Sequence, residues 1–208
     1  MREELDLAFL SLRALFGPAF RLAFRLNARG WEQVPHEGPA ILAANHASFL
    51  DPVVVAMCAS RPVRFLVAND FYQDPRLHTA LRWLGAIPVG GDAGLIRSFR
   101  RISEVLERGG LLGIFPEGGI TRDGAMRPFR PGASVLALRL GVPLVPVHVG
   151  GTFEALPRHA KWPRFVPLTV RFGSPIPVAA KHNPSSEEIA DLSDSLRNAV
   201  AALAAEGV

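Results

Sequence analysis

Residues 40–52 of this chain read AILAANHASFLDP, with a histidine and a carboxylate five positions apart just after an apolar run. The apolar residues 40–44 predict a short buried strand. Side chains five positions apart on a continuous helix point in different directions, so His46 and Asp51 can meet only if the chain turns between them. Pro52 favours such a turn, because it disfavours helical dihedrals at Asp51 and suits the first turn of a helix. We therefore expect His46 at the end of a strand and Asp51 at the start of a helix.

This spacing is compatible with two roles for the pair. A carboxylate bonded to one imidazole nitrogen fixes the tautomer and leaves the other nitrogen as a general base. Alternatively, Asp51 caps its helix and His46 only ends a strand. For an isolated stretch the second role is the more common one, and the rest of the chain decides between them.

A second block, residues 113–119, reads GIFPEGG. Residues 111–115 predict a buried strand that stops at Pro116. The glycines after Glu117 allow bare backbone to approach a ligand closely, although an ordinary strand-end turn has the same pattern. Further on, Arg130 and the start of a helix near Gly132 could hold an anion.

The remaining sequence alternates strand and helix patterns, which is typical of an α/β fold. The predicted strands cover residues 40–44, 63–67, 86–89, 111–115, 144–149 and 168–172. The predicted helices cover residues 52–59, 75–84, 93–108 and 132–140, and a last helix opens with a capping box from Ser185 to Glu188. Asp92 is expected to cap the helix over 93–108, and Gly109 to end it. We predict a mixed, largely parallel central sheet flanked by helices, in a single domain over residues 29–208.

In this order the blocks resemble the glycerophospholipid acyltransferase family, whose best-known members acylate 1-acylglycerol-3-phosphate to phosphatidic acid. The family has histidine-x4-aspartate, glycine-x-isoleucine, Phe-Pro-Glu-Gly and Val-Pro-Val blocks, which fall here at residues 46–51, 85–89, 115–118 and 145–147. The resemblance covers roughly residues 30–175.

The resemblance implies an O-acyltransferase with His46 and Asp51 as the catalytic pair. Its donor would be an acyl thioester of coenzyme A or of acyl carrier protein, its acceptor the hydroxyl of a lyso-lipid, and it would need no cofactor or metal. Residues in and around the blocks are then expected to bind substrate: Asn45, Ser48, Glu117, Gly118, Gly119, Arg122 and Arg130.

Two departures from the family pattern bear on the acceptor. The glycine-x-isoleucine block of the family usually ends in an arginine that helps to hold the acceptor phosphate. This chain has glycine at that place, within the pair at 90 and 91. The family commonly has Thr-Arg directly after the glycine of the Phe-Pro-Glu-Gly block, whereas in this chain Arg122 lies two positions later than that. Nearby basic residues could compensate: Arg97, Arg100, Arg122, Arg127 and Arg130. The alternative acceptor is another lyso-lipid or hydroxyl-bearing lipid.

The segment over residues 7–30 contains four arginines and no acidic residue. At about 100° per residue, Arg13, Arg21 and Arg25 lie opposite an apolar arc of Phe9, Leu12, Phe16, Ala19, Ala23 and Leu26. Such a helix is typical of a membrane-surface element, and Gly17-Pro18 is expected to break or kink it. We expect residues 1–28 to dock the protein on the cytoplasmic face of the membrane without spanning it; the alternative is a helix packed on its own domain. A second basic and aromatic stretch, residues 158–165, is either a further membrane contact or a solvated loop.

The composition and the absence of other motifs narrow the function classes. With 49% hydrophobic and 20% charged residues, the chain is neither disordered nor an obvious membrane span. Cys58, the single cysteine, excludes an internal disulfide and lies in an apolar run, which favours a buried structural role. The six histidines are scattered without metal-ligand spacing, there is no GxSxG elbow, and no nucleic-acid-binding motif is present. A non-catalytic membrane-binding module would explain the N-terminal segment but not the pair His46 and Asp51.

Overall fold

A computed structural model describes residues 2–90 and 94–205, and over these residues seven strands form one sheet in the order β1-β7-β6-β2-β5-β3-β4. The strands are β1 (Asn27–Arg29), β2 (Ala40–Ala44), β3 (Val63–Ala68), β4 (Ile87–Val89), β5 (Leu111–Ile114), β6 (Leu144–Gly150) and β7 (Thr169–Phe172). The strands from β6 to β4 are parallel, β7 is antiparallel to β6, and β1 is parallel to β7. The carboxyl ends of β2, β3, β5 and β6 therefore share one edge, which we call the carboxyl edge.

Helices cover both faces of the sheet. They are α1 (Arg2–Ala23), α2 (Asp51–Cys58), α3 (Asn69–Tyr72), α4 (His78–Trp83), α5 (Gly94–Glu107), α6 (Gly132–Leu140), α7 (Thr152–Ala155) and α8 (Ser186–Ala205). A 3₁₀ turn (Trp31–Gln33) joins β1 to β2.

The central strand β2 is buried along its whole length because it faces a core on each side. Ala40, Leu42 and Ala44 pack with residues of α2 and with Phe24. Ile41 and Ala43 pack on the other face with residues of α5, α6 and α8. Strand β2 is thus held rigidly up to Ala44, and the residues that follow it emerge at the carboxyl edge from a fixed position.

The predicted fold class is confirmed, and most predicted elements lie within a residue or two of their observed bounds. The capping box is present, since Ser185 N donates to Glu188 Oε2 at 2.9 Å and Glu188 N donates to Ser185 Oγ at 3.1 Å. Helix α4 begins at His78 rather than at residue 75, because Leu77 and His78 N–H groups close a turn onto the carbonyl of Asp74. Strand β1 was not predicted, and Asp92, the expected cap of α5, lies outside the described residues.

Helix α1 differs from the expectation, because it runs without a break from Arg2 to Ala23 with Pro18 inside it. Contacts on both sides of Pro18 hold it to the domain: Arg13 Nη1 donates to Ala59 O, and Phe20 and Phe24 pack on the core. The opposite face carries the exposed side chains of Leu15 and Leu22, and Phe16 is exposed on the flank of the helix. Helix α1 is therefore both packed on its own domain and apolar on its outer face. No helix within the described ranges has the length and apolar character needed to cross a membrane.

Candidate active site

The turn between β2 and α2 brings His46 and Asp51 together, with Nδ1 of the imidazole 2.8 Å from Oδ2 of the carboxylate. The same oxygen accepts the N–H groups of Ala47 and Ser48, each at 2.7 Å. Asp51 is fully buried, it is the first residue of α2 and not its N-cap, and its second oxygen, Oδ1, has no hydrogen-bond partner among the residues that the structure describes. The capping role is therefore wrong, because these bonds direct the carboxylate back toward the turn. His46 retains 16% side-chain exposure, and Nε2 is the ring nitrogen left for a substrate.

Aromatic stacking fixes the plane of the imidazole. The His46 ring lies on Phe115, with ring centres 4.0 Å apart and planes inclined by 17°. Phe65 stacks on Phe115 in turn, with ring centres 5.7 Å apart. Because Phe115 directly follows β5, the neighbour of β2, the sheet sets the ring orientation as well as the strand end.

Glu117 clamps the backbone of the histidine turn. Its Oε1 accepts the N–H of His46 at 2.8 Å, and its Oε2 accepts the N–H of Arg127 at 3.1 Å. The N–H of Thr121 donates to His46 O at 2.9 Å, so Glu117 and Thr121 together bind both backbone groups of His46. Only 3% of Glu117 is exposed. These contacts give Glu117 a positioning role, and its expected contact with the acceptor stays a prediction.

Asn45 and Ser48 also join the turn to the surrounding framework. Asn45 Nδ2 donates to Val149 O at 2.9 Å, and its Oδ1 accepts the N–H of Val149 at 2.8 Å. Ser48 Oγ donates to Leu156 O at 2.7 Å and accepts the N–H of Leu50 at 3.1 Å. Both side chains are buried, so their expected role in substrate binding stays a prediction while their role in shaping the turn is observed.

The glycine turn after Glu117 is closely surrounded by arginines. Gly118 has φ +71°, and a Cβ there would lie 2.5 Å from Nε of Arg130. Glycine is therefore favoured by the left-handed backbone conformation, and any other side chain would also displace the guanidinium of Arg130. Arg127 donates a side-chain N–H to Gly119 O. Arg122 is exposed, as is Arg130, and each is available to an anion near the turn.

Two ionisable groups, one at the end of α2 and one in the loop after Glu117, have shifted pKa values. Burial raises the pKa of Cys58 to about 11, so its thiol stays protonated and inert at neutral pH, as the sequence indicated. A hydrogen bond from the Thr121 hydroxyl, followed by one from the N–H of Ala125, lowers the pKa of Asp123 and keeps this loop carboxylate charged. Across the part of the chain that the structure describes, no three His, Cys, Asp or Glu side chains meet in a group that could hold a metal ion.

Some functional contacts could not be found from the sequence. Phe115 belongs to the second block, but nothing in the sequence shows that it stacks on His46. Arg127 was one of several basic residues near the block, and its contact with Glu117 depends on how the loop between them folds. In both cases the sequence places the residue in or near that block, but the residue that it contacts depends on the tertiary structure.

Comparison with known proteins gives one family and one fold. A family model described as acyltransferase matches residues 25–150, which is more than half of the chain. A chloroplastic 1-acyl-sn-glycerol-3-phosphate acyltransferase of Brassica napus is 27% identical over 137 residues, covering 64% of this chain and 40% of that protein. A 1-acyl-sn-glycerol-3-phosphate acyltransferase of Borreliella burgdorferi is 28% identical over 151 residues, covering 70% of this chain and 60% of that protein. The chain thus spans about half the length of these curated relatives.

The fold is shared with a solved structure. The crystal structure of the 1-acyl-sn-glycerophosphate acyltransferase PlsC from Thermotoga maritima superposes with a TM-score of 0.78 at 22% sequence identity. The superposition covers 99% of this chain and 83% of that one. At this identity the likeness shows a common architecture.

Proposed function

This chain belongs to the acyltransferase family, as its sequence blocks indicated, and from that premise we propose that it moves a fatty acyl group from an acyl thioester to a lyso-lipid hydroxyl. The observation that carries the proposal is the contact of 2.8 Å between His46 Nδ1 and Asp51 Oδ2, with Nε2 left for a substrate. A buried carboxylate behind a partly exposed imidazole is the arrangement that general-base catalysis of acyl transfer requires.

The mechanism follows from this geometry. Nε2 of His46 takes the proton of the acceptor hydroxyl as its oxygen attacks the thioester carbonyl, and Asp51 stabilises the imidazolium that forms. When the tetrahedral intermediate collapses, the C–S bond breaks and the leaving thiolate takes the proton from His46. Such assistance typically accelerates a reaction by about 10²–10⁴-fold. Backbone N–H groups of the glycine turn are our candidates for stabilising the oxyanion.

We infer that the acceptor is 1-acylglycerol-3-phosphate, which would yield phosphatidic acid. The names of the relatives support this acceptor, as do the exposed guanidinium groups of Arg122 and Arg130 beside the glycine turn. If either arginine holds the phosphate, its replacement by glutamine should raise the acceptor KM by about 10- to 150-fold, the equivalent of one charge-assisted hydrogen bond. The alternative acceptor is another lyso-lipid, and the donor is an acyl thioester of coenzyme A or of acyl carrier protein.

A panel of lyso-lipid acceptors with one fixed acyl-CoA tests the proposal. Thiol release should depend on the acceptor, be fastest with 1-acylglycerol-3-phosphate, and vanish in His46→Ala. Faster turnover of another lyso-lipid would reassign the acceptor within the same reaction. If no acceptor or donor of either kind supports thiol release, or if His46→Ala keeps the turnover of the unmodified protein, the assignment of the reaction is wrong.

We further infer that the protein docks on the cytoplasmic face of the membrane without spanning it. The support is the outer face of α1 and its flank, where Leu15, Phe16 and Leu22 are exposed although they are large and apolar. Arginines near an anionic surface add roughly 1 kcal/mol each to such binding.

A further inference from the structure

The large apolar side chains that the structure leaves exposed are unevenly distributed around the sheet. Outside α1, several follow strands at the carboxyl edge, including Phe49 after β2 and Phe71 after β3. Two others, Trp162 and Phe165, lie in the segment between α7 and β7. At the opposite edge, where β2 and β4 begin, Trp31 and Leu84 are exposed. The apolar surface is thus richest around the edge that carries His46.

Residues 157–165, PRHAKWPRF, form what we call the basic–aromatic loop. The N–H of Arg164 donates to Ala155 O at 2.7 Å, and the N–H of Ala160 donates to Pro157 O at 2.9 Å. The first bond joins the two ends of the loop, and the second closes a turn at its start. The fold therefore holds Trp162 outward, where 83% of it is exposed.

The basic–aromatic loop contacts both the candidate active site and the residue that follows α1. The residue that precedes the loop, Leu156, accepts the hydroxyl of Ser48, whose own N–H donates to the catalytic carboxylate. At its other end Phe165 packs against Phe24, which is buried just after the end of α1, with ring centres 5.2 Å apart, while 65% of Phe165 remains exposed. The loop is thus anchored between the turn that carries His46 and the segment that follows α1.

The charge of the loop is complementary to one kind of surface. Arg158, Lys161 and Arg164 are exposed and basic, and Glu154 is the exposed acidic residue next to them in sequence. Tryptophan prefers the boundary between headgroups and acyl chains, where its ring is buried and its N–H stays hydrated. Basic side chains beside it can reach lipid phosphates while their stems lie on apolar surface.

We propose that the basic–aromatic loop is a second membrane-docking element, with Trp162 inserted into an anionic phospholipid bilayer and Arg158 and Lys161 on its phosphates. This deepens the proposed function and rests on it, because a lyso-lipid acceptor lies in such a bilayer. The loop then sets the depth and tilt of the carboxyl edge, so that His46 faces the lipid surface.

Vesicle co-sedimentation of the full chain tests this without measuring turnover. The probes are vesicles of phosphatidylcholine alone and of phosphatidylcholine with phosphatidylglycerol. Trp162→Ala should weaken partitioning into both by about tenfold, in line with partial burial of one large side chain. Arg158→Gln with Lys161→Gln should weaken binding to the anionic vesicles alone, by about fivefold per charge removed. Arg164 is left unchanged because its N–H closes the loop.

Trp31→Ala is the matched control, since Trp31 is 49% exposed at the opposite edge. It should partition like the unmodified protein, and all variants should keep its thermal midpoint. The proposal is overturned if Trp162→Ala binds both vesicle types normally, or if Trp31→Ala weakens binding as much. If vesicle binding is normal but affinity for an acidic acyl carrier protein is lost, the loop is a protein-binding surface instead. Because vesicle binding is read separately from thiol release, failure of the acyl-transfer assignment would leave this result intact.

Discussion

At the scale of single residues, Asp51 Oδ2 is the atom on which the geometry of the candidate site depends most. It accepts His46 Nδ1 and two backbone N–H groups, all within 2.8 Å, in a place that solvent does not reach. One carboxylate oxygen therefore fixes both the imidazole tautomer and the turn that carries the imidazole. Its loss should damage the chemistry and the local structure together.

We expect Asp51→Asn to lower kcat by about 10²–10⁴-fold, because an amide that presents its N–H groups to His46 favours the wrong tautomer. It should also lower the free energy of unfolding by about 1–3 kcal/mol, since buried N–H donors lose a charged acceptor. Thiol-release kinetics and thermal melts measure the two effects. The control is Asp70→Asn, an exposed aspartate at the start of α3, which should change neither.

Glu117 offers a test between positioning the base and binding the acceptor. In Glu117→Gln, one side-chain oxygen is replaced by an N–H donor that faces the N–H of His46 or Arg127. If the residue positions His46, kcat should fall by about tenfold or more while the acceptor KM stays within about twofold, because misplacement of a catalytic group costs rate rather than binding. Steady-state kinetics over a range of acceptor concentrations distinguish the roles. A raised KM with normal kcat would instead place Glu117 against the acceptor, and Glu187→Gln, exposed on α8, is the control.

The contact between His46 and Asp51 could be predicted from the sequence because the two residues are close along the chain, whereas their catalytic role came from the family resemblance and stays a prediction. His46 and Asp51 are separated by one turn, and Pro52 limits how that turn can be built. The contacts of Glu117, Asn45 and Ser48 could not be predicted in the same way. Asn45 bonds to Val149 and Ser48 to Leu156, and only the order of strands in the sheet brings those partners close.

At the scale of elements, α1 packs on its own domain, one of the two alternatives that its sequence left open, while docking on a membrane stays a prediction. Its periodicity could not show that Phe20 and Phe24 face the core, because both apolar sets recur at helical spacing. Strand β1 was missed for a related reason, since Asn27-Ala28-Arg29 has no apolar alternation and is a strand only because it pairs with β7. Elements with their own apolar pattern could be predicted, and those defined by a partner could not.

For α1 we expect Leu15→Gln with Leu22→Gln to reduce vesicle association and to depress turnover on bilayer substrate more than on detergent-dispersed substrate. Each exposed leucine contributes up to about 1.5–3 kcal/mol when it is fully buried in the acyl boundary. Deleting residues 1–28 is a poorer test, because it also removes Phe24 from the core and part of β1. Unchanged vesicle association in a folded double variant would make α1 a packing helix alone.

Strand β6 gives a prediction on pH and stability. Burial, followed by the charge of Arg171 opposite it on β7, lowers the pKa of His148, with Asp51 opposing the shift. The folded protein thus keeps His148 neutral at a pH where the unfolded chain binds a proton. Above the ordinary pKa of about 6.5 the pKa difference does not affect the free energy of unfolding. As pH falls from there toward the lowered pKa, the unfolded chain binds the proton first, and the folded protein loses stability.

Urea unfolding at about pH 7.5 and about pH 5.5 should therefore show a larger loss of unfolding free energy in the unmodified protein than in His148→Gln, by at most about 1.4 kcal/mol. An equal loss in both proteins would show that His148 does not contribute to this pH dependence.

At the scale of the whole molecule, the candidate site residues are concentrated at one edge of the sheet. Parallel strands bring the residues that follow β2, β5 and β6 together at their carboxyl ends, which is where ligands bind in open α/β sheets. This much follows from an α/β sequence pattern once the motif positions are known. The sequence pattern does not show that β2 is buried on both faces. This burial holds the end of β2 in place and so keeps His46 in one orientation.

The pairing of β1 with β7 has a consequence for the order in which the protein is made. Residues of α1 and β1 leave the ribosome early, but the strand that fixes β1 is synthesised only after β2 to β6. Contacts between segments so distant in sequence form late, because a long loop must close first. Until then the contacts that follow α1, such as the bond from Leu168 N to Phe24 O, are missing. The sheet order therefore leaves the outer apolar face of the nascent helix open before the carboxyl edge has been completed.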